Sequence, residues 1–278
     1  MINVIGGTYR EINYDDDSID IFGSGFRCAK FLLENNNEVN FITSGNSETS
    51  QFLEENKKVY HKLNFECHPY EHLITFKYNF ALDEPSTFPS LSDISKIVNW
   101  KFKGDDVIAF GMLESTYDID CKRVVYDPQS SSNPTKFCEI GKAEELVYII
   151  NQNEAHSLAS SKNIEEIKKY FFEEEKAKAF IIKNGPYGAT LYTDIDEYNI
   201  PCYITENVFK IGSGDIFTAS FGYYWMSKKL SFKEAALLAS KSTALFCDKK
   251  AYFDFTNNFK FEYHEYKANN LKEKQIYL

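Results

Sequence analysis

Two glycines, a serine and an aspartate in the run Lys210-Ile211-Gly212-Ser213-Gly214-Asp215-Ile216-Phe217 have the types and spacing for phosphoryl transfer. Glycines at 212 and 214 let the backbone turn tightly and approach a ligand, and the unpaired N–H groups and positive dipole end of a following helix can hold an anion. Asp215, in the first turn of that helix, is placed to take a proton from an attacking hydroxyl. The same residues also suit a plain turn with a capping acid, because Ser and Asp are ordinary at helix starts. Taken alone, the segment leaves both readings open.

A second segment offers oxygen donors. The apolar run Glu145-Leu146-Val147-Tyr148-Ile149-Ile150 reads as a buried strand that delivers Asn151-Gln152-Asn153-Glu154 at its carboxyl end. An Asn and a Glu in a polar turn suit magnesium, which takes oxygen ligands and keeps several waters, and they equally suit helix caps. With Ile216-Phe217 behind the glycine turn, the two segments resemble the G-A-G-D signature and the N-x-x-E motif of the PfkB, or ribokinase-like, carbohydrate kinases. The resemblance implies an ATP-dependent phosphotransferase with an alcohol group as acceptor and Mg2+ as its metal. It makes Asp215 the base, the amides of Gly212, Ser213 and Gly214 an anion hole, and Asn151 and Glu154 the organisers of Mg2+ and phosphate, largely through water.

These residues need a scaffold that brings strand ends together. Strand candidates Ile2 to Ile5, Glu38 to Ile42, Val107 to Phe110, Arg123 to Tyr126, Glu145 to Ile150 and Ala179 to Ile182 alternate with helix candidates Phe26 to Glu34, Gln51 to Lys58, Ile94 to Trp100, Ile164 to Glu175, Asp215 to Lys228 and Phe232 to Asp248. Such alternation predicts an α/β fold with a parallel sheet flanked by helices. Gly6-Gly7, Gly45-Asn46, Gly111, Asp127, Asn151 and Asn184-Gly185 all follow strands, where an open α/β sheet binds its ligands. The resemblance sharpens this to one domain over residues 1–278. It implies a ribokinase-like three-layer α/β/α sandwich, mostly parallel, with a small β lid from insertions near residues 9–22 and 67–91.

Composition sets bounds. A chain of 278 residues can bury a substantial core, and its net charge of −10 argues against a nucleic-acid or anionic-membrane binder. The cysteines at 28, 67, 121, 138, 202 and 247 lack C-x-x-C spacing and are expected to be reduced. His61, His68 and His72 with Cys67 fit no strong zinc spacing and read as solvated or lid-surface residues. The first residues have no charged n-region with a long apolar stretch, and no window is long and apolar enough to span a bilayer, so the cytoplasm is the expected location. Neither a G-x-x-x-x-G-K-[ST] loop nor an early G-x-G-x-x-G is present, which leaves phosphate binding to the later glycine turn. Asp15-Asp16-Asp17 reads as a solvated loop, and the tail from Phe255 to Leu278 as a final strand or a loosely attached segment.

The acceptor side departs from the family pattern. Glu11, after Gly6-Gly7-Thr8-Tyr9-Arg10, is the best match for a sugar-binding acid, and Gly23-Ser24-Gly25-Phe26-Arg27 resembles G-G-x-G-x-N with Arg27 in place of Asn. Glu11, Gly25 and Arg27 are therefore the expected substrate-binding residues. A guanidinium there can read an anionic acceptor, pair with Glu11 or face solvent. Lys183-Asn184-Gly185-Pro186-Tyr187-Gly188 resembles the T-x-G-x-x-G turn beneath the ATP phosphates, making Asn184, Gly185 and Gly188 nucleotide-binding candidates, while a plain turn is the alternative. Asp127-Pro128-Gln129 resembles D-P-N and is expected to shape the crevice. Phe209 stands where many relatives carry an Asp linked to a monovalent cation, a role an apolar ring cannot fill. The expected partners are ATP and a sugar, nucleoside or related small alcohol, with a homodimer through the lid implied by the resemblance. The rival reading is a catalytically degraded metabolite-binding or sensing protein of the same fold.

Overall fold

Consecutive apolar residues build strands buried on both faces, the signature of a sheet covered on each side. The protein is described by a computed structural model over the whole chain apart from residues 16, 81–83, 97, 131–132, 257–260 and 268–278. Asp16 of the acidic triplet and most of the C-terminal tail therefore lie outside the described residues. The chain runs through β1 (Ile2–Ile5), β2 (Arg10–Asn13), β3 (Ser18–Ile21), α1 (Gly23–Glu34), β4 (Val39–Gly45), α2 (Ser47–Val59) and β5 (Leu63–Pro69). It continues through β6 (Thr75–Tyr78), β7 (Ser86–Phe88), β8 (Val98–Phe110), β9 (Ser115–Asp127), α3 (Phe137–Ile140), β10 (Gly141–Asn151), α4 (Gln152–Ala159) and α5 (Ile164–Lys169). It closes with β11 (Ala179–Lys183), β12 (Ala189–Thr193), β13 (Glu197–Ile200), α6 (Ser213–Gly222) and α7 (Phe232–Lys249).

The large sheet has the order β13-β12-β11-β10-β9-β8-β1-β4-β5. It is parallel from β11 to β5, and β12 and β13 add an antiparallel edge. Alternate residues of one strand enter opposite cores, as a period of two requires. Val4, Phe41, Ile108, Val125, Ile149 and Ile181 pack with Phe26 of α1, Phe221 of α6 and Ala239 of α7. Ile5, Ile42, Val107, Val124, Tyr148 and Ile150 pack with Leu158 of α4 and Ile167 of α5 on the other face. This is the expected three-layer α/β/α arrangement.

The smaller sheet has the order β3-β2-β6-β7 and grows out of the carboxyl end of β1. Tyr9 and Ile74 form its own small core, with Phe76 against Tyr9. Cys67, His68 and Pro69 close β5 of the large sheet, so the second contribution to the small sheet starts at Thr75.

The helix expected over Ile94 to Trp100 does not form. Residues 94–96 are irregular, residue 97 is outside the described residues, and β8 starts at Val98. β8 and β9 pair in parallel from Val98 with Ser115 to Phe110 with Asp127. A straight strand of 13 residues spans about 43 Å. The residues 111–114 that join β8 to β9 reach only about 14 Å. Both strands must therefore fold back on themselves. The corner lies where alternating burial gives way to continuous burial, and there Arg123 grips Asp106 with two bonds of 2.7 Å. Across the fold Tyr117 Oη donates to Phe110 O at 2.8 Å. Tyr117, Ile119 and Cys121 then cover sheet residues that a helix would otherwise cover. Alternation of Trp100 and Phe102 with Lys101 and Lys103 is the strand signal that a helical reading of this stretch overlooks.

Candidate functional site

The polar residues converge at the carboxyl ends of the parallel strands, where backbone groups run out of partners and helices begin. Asp127 ends β9, Asn151 ends β10 and Lys183 ends β11. Opposite them α6 starts at Ser213, with Gly212 as its N-cap at φ +83°. A side chain at 212 would be strained by that backbone angle, and a methyl there would lie 2.2 Å from Arg27 Nε. Ser213 N–H donates back to Lys210 O at 3.0 Å, so this amide already serves the turn. The N–H groups of Gly214 and Asp215, at the second and third helical positions, have no partner within the helix.

Asp215 is 8% exposed, and both its oxygens accept bonds from side chains. Arg27 Nη1 donates to Oδ2 at 2.6 Å, and Gln129 Nε2 donates to Oδ1 at 3.3 Å. Burial raises the Asp215 carboxyl above its usual range; Arg27 pulls it down, while Asp127 and Glu11 push it up. The second arm of Arg27, Nη2, donates to Glu11 Oε2 at 2.5 Å. Glu11 Oε1 accepts from Gly23 N at 3.1 Å, tying β2 to the start of α1. Of the three roles open to Arg27, the structure finds the pair with Glu11 and adds Asp215. Gly25 is buried backbone to backbone against Gly6, where a methyl would lie 2.5 Å from the Gly6 carbonyl carbon. That contact explains a glycine at 25 by packing.

A cavity of about 420 Å³ opens beside Arg27 and Glu11, lined also by Phe22, Lys30, Lys210 and Tyr252. Tyr78 of β6 reaches the same charges from the small sheet. Burial pushes its hydroxyl well above the usual range, with Glu11 and Asp215 adding to the effect and Arg27 opposing it.

Asn151 and Glu154 form a reciprocal cap on α4. Glu154 N donates to Asn151 Oδ1 at 2.9 Å, and Asn151 N donates to Glu154 Oε2 at 2.8 Å. Glu154 is buried, and burial with repulsion from Asp127 raises its carboxyl to about 7, against the pull of Lys183. Among the described residues no group of three or more His, Cys, Asp or Glu is arranged to hold a metal. The capping pair offers the side-chain oxygens of Asn151 and Glu154, and magnesium fits oxygen donors when water and phosphate oxygens complete its shell.

The third group is the turn after β11. Asn184 N donates to Gly188 O at 2.8 Å, and Gly185 stands at φ +55° with open space around it. Asn184 lines an open cavity of about 630 Å³ with Asn151, Gln152, Asn153, Lys183 and Tyr187. Gly188 instead faces β13, where a methyl would lie 2.1 Å from Ile200 O. The structure thus brings Asn184 beside Asn151 and sets Gly188 away from that cavity.

Sequence reasoning gave no chemical role to Lys183, Thr218, Gln129 or Tyr78. Asp127 Oδ2 accepts from Lys183 Nζ and from Thr218 Oγ1, each at 2.8 Å, and Oδ1 accepts from Gln129 N at 3.3 Å. Burial works against the Lys183 charge, but Asp127 and Glu154 outweigh it and hold the ammonium above its usual range. The available signal was position, since Lys183 directly precedes the Asn184-Gly185 turn and Gln129 follows Asp127-Pro128.

Fold and site together define a three-layer α/β protein with an acid at a glycine-capped helix start beside the carboxyl ends of a parallel sheet. A family model described as pfkB family carbohydrate kinase matches residues 110–252, more than half of the chain, and the chain belongs to that family. A ribokinase from Thermotoga maritima superposes with a TM-score of 0.64 at 16% identity, covering 91% of this chain and 94% of that one. A fructokinase from Vibrio cholerae O395, bound to fructose, ADP and calcium ion, gives 0.63 at 14% identity, with 90% and 94% covered. A pyrophosphate-dependent kinase in the ribokinase family, with a pyrophosphate analog and myo-inositol, gives 0.56 at 16% identity, with 89% and 95% covered. At these identities the likeness is one of fold. No curated protein matches the chain.

Proposed function

We propose that this protein is an ATP-dependent kinase that phosphorylates a hydroxyl of a sugar, nucleoside or related small metabolite. The observation that carries the reading is a buried carboxylate, Asp215, in the first turn of a helix whose N-cap is the left-handed Gly212, bonded to Arg27, which lines a cavity of about 420 Å³. In this reading Asp215 accepts the proton of the acceptor hydroxyl, and the 212–215 turn, with the dipole of α6 behind it, stabilises the developing phosphate charge. Gly214 contributes its amide, while the Ser213 amide is shared with Lys210 O. Asn151 and Glu154 would hold Mg2+, Asn184 and Gly185 would lie under the nucleotide phosphates, and Glu11 and Arg27 would border the acceptor. Bound Mg2+ would neutralise phosphate charge. The small sheet acts as a lid beside the acceptor, and its closure excludes water.

A metabolite-binding protein that no longer transfers phosphate is the second reading. It is favoured by the engagement of both Asp215 oxygens, by Arg27 and Gln129. Incubation with Mg-ATP and a panel of sugars and nucleosides, followed for ADP formation, separates the two. Acceptor-dependent ADP release that disappears in Asp215→Asn supports the kinase; binding of an acceptor without ADP release by the native chain supports the sensor.

A further inference from the structure

We propose that Lys183 is a catalytic residue of this site, its ammonium holding the phosphoryl group as that group passes the head of α6. The inference rests on the kinase reading and adds to it a cation that neither the glycine turn nor the Asn151–Glu154 cap supplies.

Place, charge and tether point the same way. Lys183 is the last residue of β11, so its side chain enters the carboxyl-end crevice, where it is 19% exposed. A methyl built on Gly214 would be 3.6 Å from its Nζ, with no closer neighbour, which sets the ammonium beside the second residue of α6. There the free first-turn amides and the positive dipole end already favour an anion. Asp127, Glu154 and Asp215 all act on Lys183 electrostatically. The other buried cation of the site, Arg27, is committed to Glu11 and Asp215. Among the described residues the Lys183 ammonium makes one hydrogen bond, to Asp127 Oδ2 at 2.8 Å. Two of its three N–H donors are therefore left for a ligand. Its neighbours Asn151, Gln152, Asn153, Asn184 and Tyr187 line the cavity of about 630 Å³ through which a polyphosphate would enter.

In the transfer step the acceptor oxygen bonds to the terminal phosphorus of a nucleoside triphosphate, and its proton passes to Asp215. The bridging P–O bond breaks, and its electron pair leaves with the diphosphate. The group in transit carries its charge on three equatorial oxygens, and a fixed cation beside them lowers the barrier without reorganising. Asp127, anchored by Thr218, is the positioning residue that keeps the ammonium at the crevice.

Lysine labelling of the native protein with an amine-reactive reagent, read by mass spectrometry, tests the contact without turnover. Magnesium with a non-hydrolysable ATP analogue is expected to slow labelling of Lys183 about tenfold, the effect of one charge-assisted hydrogen bond, and Mg-ADP to slow it far less. Equal protection by the two nucleotides, or none, overturns the proposal. In kinetics Lys183→Met should lower kcat by about a hundredfold, as loss of one oxyanion donor does, with ADP affinity held and part of the rate recovered in Lys183→Arg. Native turnover in Lys183→Met overturns the inference and leaves the kinase reading standing. Absence of transfer to every acceptor overturns the kinase reading, and the labelling tells that failure apart from failure of the donor contact.

Discussion

Arg27 Nη1 meets Asp215 Oδ2 at 2.6 Å, joining the second turn of α1 to the first turn of α6 across 188 residues of sequence. With Glu11 on its other arm, the guanidinium is a buried clamp between two carboxylates. It lowers the proton affinity of the proposed base and also blocks one of its oxygens. An acceptor hydroxyl must therefore reach Asp215 past this pair or displace it.

Asp215→Asn is expected to reduce kcat by about 10² to 10⁴, the usual worth of a general base. The amide keeps the side-chain shape and still accepts from Arg27, so ATP affinity should change little. Isothermal titration beside turnover provides the check, and near-native turnover would remove Asp215 from the mechanism.

Arg27→Asn should both loosen the fold and move the pH profile. Removing one partner of a buried ion pair costs about 3–5 kcal/mol, because the remaining charges are left unpaired. Arg27 holds the Asp215 carboxyl down, so its loss raises that group further. A base works only when deprotonated, and the acid limb of kcat against pH should shift to higher pH. Since both arms already sit on carboxylates, anionic and neutral acceptors should lose kcat/KM in equal proportion; a selective loss for anionic acceptors would give Arg27 a charge-reading role.

Glu154→Gln should raise the magnesium concentration needed for half-maximal rate. A negative group beside the metal's water shell becomes neutral, while the amide oxygen can still accept from Asn151 N and keep the cap of α4. The melting temperature should change little. An unchanged magnesium titration would leave Glu154 with the cap alone.

Glu114 supplies a pH dependence of stability away from the chemistry. It is 1% exposed, accepts from Tyr9 Oη at 2.8 Å, and is pushed by burial from an ordinary 4.5 to about 7. The folded state thus holds the proton more tightly than the unfolded chain. The stabilisation is complete below pH 4.5, fades as pH rises toward 7 and is gone above it. At about 1.4 kcal/mol per pH unit the whole window amounts to roughly 3 kcal/mol. Glu114→Gln removes the titration, so the variant should gain several degrees of melting temperature relative to the native chain between pH 5 and pH 8. Parallel melting curves across that range would show that Glu114 does not titrate in the window.

The strand and helix pattern was legible because burial on both sheet faces imposes apolar runs such as Leu146 to Ile150, and amphipathic helices impose their own period. The local turns were legible too: Gly212 at φ +83° and the Asn151–Glu154 cap are set by residues within one turn of each other. The strand around Trp100 is not legible locally because it exists through pairing with residues 115–121, and that pairing overrides local preference.

By itself the sequence determined the glycine turn, the acid behind it and the order of the strands that carry the polar ends, because these depend on backbone conformation and short-range pattern. Only the tertiary structure decided that Arg27 closes on Asp215 and Glu11, that Lys183 is held by Asp127, and that Tyr78 reaches the same charges. Those partners are 16 to 188 residues apart where their bonds are direct. A buried charge takes whichever opposite charge the packed fold brings within reach, and no local pattern encodes that choice.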